Sequence, residues 1–447
     1  MMKLRNLFLP LVALLMIVTG CSREKALFDT IPANAVMVAS VNVKTFATDA
    51  GFKLDADGQV TNPDAAPVGR AVASILALSK AADVDHTVVV ALTQQEAYAT
   101  VAVTDANLFG KILDDNGFER SSAGSYNAFT SHGFTILAND KQAWLLRDGG
   151  PEKALQSLNK VLKQAADKGS VADNEAAVEA LMASTPYNFI ATNPLTGEGG
   201  AVAAEVKDNK LQGRVTMLPL ADGNNAPAPS LTDINLPVLE YVPDNACLVT
   251  AAGLSKDIDW AARTEAIANA AGLNAMERAQ LSMVNTYLSA LDGTVLLAIS
   301  PKDDADFTNL NPDQFDLLAM VHMDQDMVNQ TVESLVQMAG QAGMPVNILG
   351  SGLYAVNFNG RPIYFGSVDG YLTVSTREPS NNHGSSLSAK FSGKKGALMA
   401  HIPTLQGLFP RATYGIDFLM TSGSKEGTFT LTTTAPGPIL ATLLGTK

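Results

Sequence analysis

Cysteine is scarce in this chain, and its scarcity excludes a disulfide framework. Only two cysteines, Cys21 and Cys247, occur among the 447 residues. The context of Cys21, described below, predicts that it is covalently modified, which leaves Cys247 without a partner in the chain. Because Cys247 lies in the apolar stretch NACLVTAAGL, we predict a buried, unreactive thiol rather than a nucleophile.

Basic residues are also in short supply. The chain has 31 Lys and Arg against 44 Asp and Glu, which gives a net charge of −13, and its densest basic stretch is GKKG at 393–396. A surface of this charge repels the phosphates of nucleic acid and anionic membrane surfaces, so we expect no nucleic-acid partner. Apolar residues make up 47% of the chain, which is enough for a packed core and excludes global disorder.

Motifs for metal, nucleotide and serine-hydrolase sites are missing as well. Neither HExxH, CxxC, GxSxG, GxGxxG nor a Walker motif occurs, and the S-x-x-K matches at Ser157, Ser392 and Ser422 lack their usual companion motifs. The five histidines do not have the spacing of metal ligands; they are His86, His132, His322, His383 and His401. We therefore predict no catalytic residue, no cofactor and no metal, although a site assembled from distant residues stays open.

The chain begins with a segment that is typical of export. In MMKLRNLFLPLVALLMIVTGC, the basic residues Lys3 and Arg5 precede an apolar run that is too short to span a membrane. Its ending, VTGC, resembles the lipobox of bacterial lipoproteins, in which the cysteine is lipidated and becomes the new N-terminus. The resemblance implies a signal peptide over residues 1–20 and a membrane anchor at Cys21, with acyl chains such as palmitate.

The residues after Cys21 predict the location. Ser22 follows the cysteine, and by resemblance to the sorting rule of enteric bacteria this favours the outer membrane over the inner. Surface-displayed lipoproteins of Bacteroidetes carry an acidic run here, whereas SREK has mixed charge. We expect a lipid-anchored envelope protein of the outer membrane that faces the periplasm, with a tether over residues 21–27.

A repeated stretch predicts the domain organisation. IPANAVMV at 31–38 reappears as VPDNACLV at 242–249, and three further pairs follow in the same order: DHTVVVAL with DGTVLLAI, VAVTDANLFGKIL with MVHMDQDMVNQTV, and TILANDKQAWLL with IYFGSVDGYLTV. Four ordered matches favour an internal duplication. The segment 221–233, rich in Pro, Asn, Asp and Ala, is typical of a linker. We predict repeat 1 over 28–220 and repeat 2 over 234–447.

Local patterns predict the elements within each repeat. Hairpin-like strands alternate with helices, Asp105 and Asp324 precede helical stretches as N-caps, and Pro151 opens a strong helix. LDADGQV at 54–60 predicts a hairpin turn rather than a calcium loop. The predicted fold class is α+β: two tandem related domains, each an antiparallel sheet with helices packed mainly on one face.

The opening strand and the lipobox also carry a family resemblance. IPANAVMVASVNVKTF, soon after the cysteine, resembles the start of uncharacterised duplicated-domain lipoproteins of Bacteroidetes, which are known as a domain of unknown function. The resemblance covers mainly residues 18–46 and implies no activity. Asp29, Thr30 and Ile31 resemble the O-glycosylation triplet of Bacteroidetes periplasmic proteins, so Thr30, close to the tether, is a candidate O-glycosylation site.

Three functions fit these features. The first is a non-catalytic envelope lipoprotein that binds or scaffolds a protein or glycan partner. The second is an envelope hydrolase with an unrecognised carboxylate site. The third is a carrier of a hydrophobic ligand, for which methionines such as Met320, Met323 and Met327 could line a pocket, although we expect core packing for them.

Overall fold

The structure is a computed structural model that describes residues 24–443 with several gaps. The gaps are 64–68, 84, 86, 94–95, 132, 148–149, 193–198, 219–229, 271, 351, 382–385 and 425. The predicted signal peptide, the predicted lipidation site Cys21 and most of the predicted linker therefore lie outside the described residues, as do His86, His132 and His383.

Eleven helices and 21 strands occur in the described residues. The helices are α1 (Glu24–Phe28), α2 (Val43–Asp49), α3 (Gly69–Ala77), α4 (Ala106–Asp115), α5 (Pro151–Lys168), α6 (Glu175–Leu181), α7 (Trp260–Ala270), α8 (Ala275–Leu288), α9 (Gln325–Gln341), α10 (Ser386–Phe391) and α11 (Ile439–Leu443). The strands are β1 (Met37–Val41), β2 (Thr87–Ala91), β3 (Ala97–Ala102), β4 (Glu119–Ala123), β5 (Tyr126–Ser131), β6 (Phe134–Ala138), β7 (Gln142–Leu146), β8 (Tyr187–Thr192), β9 (Gly199–Lys207), β10 (Lys210–Leu218), β11 (Leu231–Thr232), β12 (Leu248–Leu254), β13 (Leu291–Pro301), β14 (Phe315–Met323), β15 (Val346–Gly350), β16 (Leu353–Phe358), β17 (Arg361–Val368), β18 (Tyr371–Ser375), β19 (Gly396–Ile402), β20 (Ile416–Ser422) and β21 (Glu426–Thr433).

The predicted fold class, two tandem α+β domains with helices mainly on one face of each sheet, is wrong. The strands belong to one large antiparallel sheet of 21 strands, and strand residues (38%) outnumber helical residues (31%). Hydrophobic patterns identify which residues form strands, but strands are joined by backbone groups that every residue carries. The patterns therefore could not show how far the sheet continues. Helix α8 also leaves Met276, Val284 and Tyr287 exposed instead of covering a sheet face.

The chain separates into two compact units, and the first is formed by Met1–Asn225 with Ala435–Lys447. Its strands pair in the order β4-β5-β6-β7-β3-β2-β1-β8-β9-β10. Helix α5 is amphipathic, and its buried Ala154, Leu158 and Val161 share a core cluster with strand residues such as Val90 and Leu137. This apolar stripe and the buried Ala177, Val178 and Leu181 of α6 contribute to the same core cluster.

The second compact unit is Ala226–Thr434. Its strands pair in the order β15-β16-β17-β18-β14-β13-β12-β19-β20-β21, and β11 pairs with the end of β12. A core cluster joins Val249 and Leu296 of the strands to Leu387 and Phe391 of α10. Met320 belongs to the same cluster and is fully buried, so this methionine packs in the core as predicted.

Several local predictions are confirmed. Asp105 caps α4 by accepting a hydrogen bond from the Leu108 N–H at 2.9 Å, and Asp324 caps α9 in the same way. Pro151 occupies the first turn of α5. The Gly58 N–H donates to the Asp55 carbonyl at 3.0 Å, which closes the predicted turn. Each of these signals acts over a few residues, which is the range in which sequence determines backbone geometry directly.

The predicted domain boundaries stay predictions, but two segments can now be placed. Glu24–Phe28, which spans the end of the predicted tether, forms α1, and its Leu27 and Phe28 are buried in the first unit. Leu231–Thr232, at the end of the predicted linker, pairs with β12 as a short strand. Both segments therefore contribute to folded units.

Candidate functional site

A cavity of about 680 Å³ lies within the second compact unit. Its floor is formed by β19, β20 and β21, and its walls include the turn before β12, helix α10 and the loop at Phe307. A volume of this size is typical of sites for small ligands or short polymer segments. The cavity is therefore the candidate site.

The repeated motif VPDNAC builds one wall of this cavity. The Ala246 N–H donates to the Pro243 carbonyl at 2.9 Å, which closes a turn, and the Cys247 N–H donates to the Ile299 carbonyl at 2.8 Å. The Asn245 side chain donates to the Pro301 carbonyl at 2.9 Å and ties the turn to the end of β13. Proline and asparagine thus hold a fixed turn directly before the buried strand.

Two rows of side chains cross the floor. Residues that pair directly across antiparallel strands lie on the same face, and one such row is Met399, Leu419 and Thr430. The neighbouring row is His401, Asp417 and Thr432. An apolar row therefore lies beside a polar row, and a ligand on this floor meets both methyl groups and hydrogen-bonding groups.

His401 and Asp417 form an ionisable pair on the floor of the cavity. His401 Nδ1 and Asp417 Oδ1 are hydrogen-bonded, and both side chains are exposed. A carboxylate oxygen accepts, so Nδ1 carries the hydrogen and Nε2 is left for a ligand. Lys390 of α10 adds a cation to the lining. His401 Nε2 can thus accept a hydrogen bond from a hydroxyl or an amide N–H of a ligand.

Cys247 lies beside this pair, and its thiol is buried. The backbone N–H of His401, on β19, donates to the backbone carbonyl of Cys247 at 2.8 Å. The two residues therefore lie opposite each other, with Cys247 directly before β12. The thiol is buried and contacts the Ile299 carbonyl at 3.4 Å. Burial raises the pKa of the Cys247 thiol, which keeps it protonated. The prediction of a buried, unreactive thiol agrees with this geometry.

No local sequence motif contains both His401 and Asp417, so the sequence alone does not identify them as a site. The two residues are brought together only by the register of β19 on β20. The available signal was their position in alternating strands, where a polar residue interrupts an otherwise apolar face. That signal becomes specific only when the pairing of the strands is known.

The predicted O-glycosylation residue, Thr30, lies elsewhere, in the first unit. Its hydroxyl donates to the Leu27 carbonyl at 2.8 Å and accepts from Gln142 Nε2 at 2.9 Å. The side chain is half-buried in the turn after α1. A sugar on Thr30 would remove the hydrogen that Thr30 donates to the Leu27 carbonyl. Glycosylation of Thr30 stays a prediction.

The described histidines and acids form no metal centre. His322 Nδ1 contacts the Asp292 carbonyl, and its ring packs edge-on against Tyr371 at 5.2 Å between centroids. Within the described ranges, no three His, Cys, Asp or Glu side chains are placed to hold a metal ion. In that same part of the chain, no helix has the length and apolar character needed to cross a bilayer.

A half-buried acid in the first unit provides a pH-dependent prediction. The Tyr187 hydroxyl donates to Asp49 Oδ2 at 2.7 Å. Burial raises the pKa of the Asp49 carboxyl above its ordinary 3.8, the bond from Tyr187 opposes this, and the charge of Glu205 adds to it. A raised folded-state pKa stabilises the fold below the ordinary value, and this stabilisation is lost as the pH rises through the folded-state pKa.

The Asp49→Asn variant removes the charge and keeps an oxygen that accepts from Tyr187. We expect its stability, relative to the parent chain, to increase as the pH rises from 3.8 through the raised pKa and then to level off. Urea unfolding at a series of pH values measures the difference. Asp115→Asn, at an exposed helix end, is the control for loss of one negative charge. A difference that shrinks with rising pH would contradict the assignment.

Comparisons with known proteins do not assign a family. No family model matches the chain, and no curated protein matches it. One solved structure with some similarity is described as "Structure of crystal form I of TP0453"; it is 7% identical, and the match covers 47% of this chain and 81% of that chain with a TM-score of 0.28. Similarity at this level establishes neither a shared fold nor a shared function.

Proposed function

We propose that this protein is a non-catalytic lipoprotein of the bacterial envelope that binds a protein or glycan partner in the cavity of its second unit. The proposal places it at the outer membrane, anchored through Cys21 and facing the periplasm. We also propose a relationship to the uncharacterised Bacteroidetes lipoproteins that the opening strand resembles. The lipobox and signal-like segment support the location, and the cavity supports the binding role.

The observation that carries the binding role is the composition of the cavity floor. Apolar groups of Met399 and Leu419 lie beside the hydroxyls of Thr430 and Thr432 and the free face of His401. Sugars and peptide segments both present alternating apolar and hydrogen-bonding groups, and a floor of this kind fits them.

The binding role can be tested by filling the cavity with a bulky side chain. Protein is purified gently from native outer membranes, and every co-eluting molecule is identified by mass spectrometry. Thr430→Trp places a large ring on the cavity floor, and we expect the retained partner to fall at least about tenfold. Thr428→Trp is the matched control, since Thr428 is exposed two residues earlier on β21 and does not line the cavity.

The outcomes separate the alternatives. Loss of a stoichiometric protein or glycan in Thr430→Trp, with retention in Thr428→Trp, supports binding in the cavity. Equal retention in both variants places the binding site elsewhere. A parent chain that retains no molecule contradicts a constitutive partner.

A hydrolase is the second candidate, because the His401–Asp417 pair opens onto the same cavity. A histidine oriented by a carboxylate is a common general base. Hydrolysis of an envelope glycan or peptide by the parent chain that is lost in His401→Gln would favour this candidate over simple binding. Retention of the intact partner by both chains would favour binding.

A further inference from the structure

Strand β15 is an open edge of the second compact unit. It pairs with β16 from Val346 to Gly350, and among the described residues no other strand register includes it. A register shift occurs between Ile348 and Gly350, so the regular part of the edge runs from Val346 to Ile348. The outward backbone N–H and C=O groups of such an edge are a template for another strand.

This edge lacks charged side chains, which are one of the protections that proteins give to an open strand. No Asp, Glu, Lys, Arg or His occurs between Glu333 and Arg361, although charged residues make up 17% of the chain. The corresponding outer strand of the first unit, β4, carries Glu119 and Arg120, and Arg120 forms an ion pair with Asp114 at 3.4 Å. Charges on an edge oppose strand addition, and β15 has none.

Large apolar side chains are exposed in the same uncharged segment. Ile348 is 74% exposed on β15, Phe358 is 54% exposed at the end of β16, and Met338 is 55% exposed on α9. Leu349 is also exposed. Exposed apolar side chains beside an open strand edge are typical of an interaction surface.

We infer that β15 pairs with β15 of a second copy of this chain in an antiparallel, two-fold-related contact. Two copies with a net charge of −13 repel each other, so contact is favoured where the facing surfaces carry no charge. A two-fold axis sets the same segment against itself, and an uncharged segment meets no like charge in that arrangement. A lipid surface is a poorer occupant because it would leave the backbone groups of the edge without partners.

The first test measures the mass of the full chain in detergent by light scattering. We expect a dimer for the parent chain. Ile348→Lys places two ammonium groups near the two-fold axis, and we expect its dissociation constant to rise at least about tenfold. Met276→Lys is the matched control, since Met276 is 73% exposed on α8 and outside the uncharged segment; this variant stays dimeric.

The second test locates the contact in intact cells. Single substitutions Asn347→Cys, Ile348→Cys and Leu349→Cys are exposed to copper phenanthroline, which oxidises two facing thiols to a disulfide. We expect covalent dimers at one or more of these positions and none for Met276→Cys, and the buried Cys247 does not interfere.

Two results would overturn the inference. One is a parent chain that is monomeric by light scattering together with cysteine variants that form no covalent dimer. The other is an edge that cross-links to a different protein instead of a second copy. Neither result depends on the cavity, so the proposed binding function is tested separately.

Discussion

Replacement of Phe391 by alanine is expected to lower the free energy of unfolding of the second unit by about 3–5 kcal/mol. The ring of Phe391 is fully buried and packs in the core cluster that joins α10 to the sheet. Its removal leaves a void that the neighbouring strands fill only in part, and the loss of packing adds to the loss of apolar burial. Helix α10 also forms a wall of the cavity, so the same variant should weaken ligand binding.

The measurement uses the distribution of the two tryptophans. Trp144 lies in the first unit and Trp260 in the second, so urea unfolding followed by Trp260 fluorescence in a Trp144→Phe background reports on the second unit. Phe409→Ala in the same background is the control, because Phe409 is exposed and should change stability by no more than about 1 kcal/mol. Equal losses for the two variants would contradict the assigned core.

The second large effect is expected at Asn188, whose side chain is fully buried on β8. Its Nδ2 donates to the Ala183 carbonyl at 2.9 Å and to the Thr185 carbonyl at 2.8 Å, and its Oδ1 accepts from the Thr185 hydroxyl. Asn188→Leu keeps the size of the side chain but leaves these partners unsatisfied. We expect a loss of about 2–4 kcal/mol, since each buried orphan group costs about 1–3 kcal/mol.

The matched control for this variant is Asn127→Leu, at an exposed position of β5. Fluorescence of Trp144 in a Trp260→Phe background reports on the first unit, and the control should change its stability by no more than about 0.5 kcal/mol. A small loss for Asn188→Leu would mean that the loop before β8 re-forms its hydrogen bonds with water. In that case Asn188 would have little part in holding the loop.

Local structures that are determined within one turn of the chain were predictable from the sequence. The first N–H groups of a helix have no partner within the helix, and a preceding Asp side chain can accept from them. Asp105 and Asp324 are therefore identifiable as caps from their positions alone. Cys247 could be predicted as buried because its neighbours are continuously apolar. In these cases the physical cause and the sequence signal occupy the same few residues.

Properties that depend on strand pairing were not predictable in the same way. The extent of the sheet depends on backbone hydrogen bonds, which leave no mark in the sequence, and the predicted fold class was wrong for that reason. The candidate site had the same difficulty, because His401 and Asp417 become neighbours only when β19 and β20 adopt one particular register. A shift of one residue would turn either side chain to the opposite face.

The path of the chain through the two units also sets an order of biosynthesis. Helix α11 follows the whole second unit in the chain but belongs to the first, where Ile439 is fully buried and its N–H donates to Asn209 Oδ1 at 2.8 Å. Synthesis or export from the N-terminal end therefore completes the second unit before the first has its last helix. Until α11 has been synthesised, the site that buries Ile439 in the first unit therefore stays open to solvent.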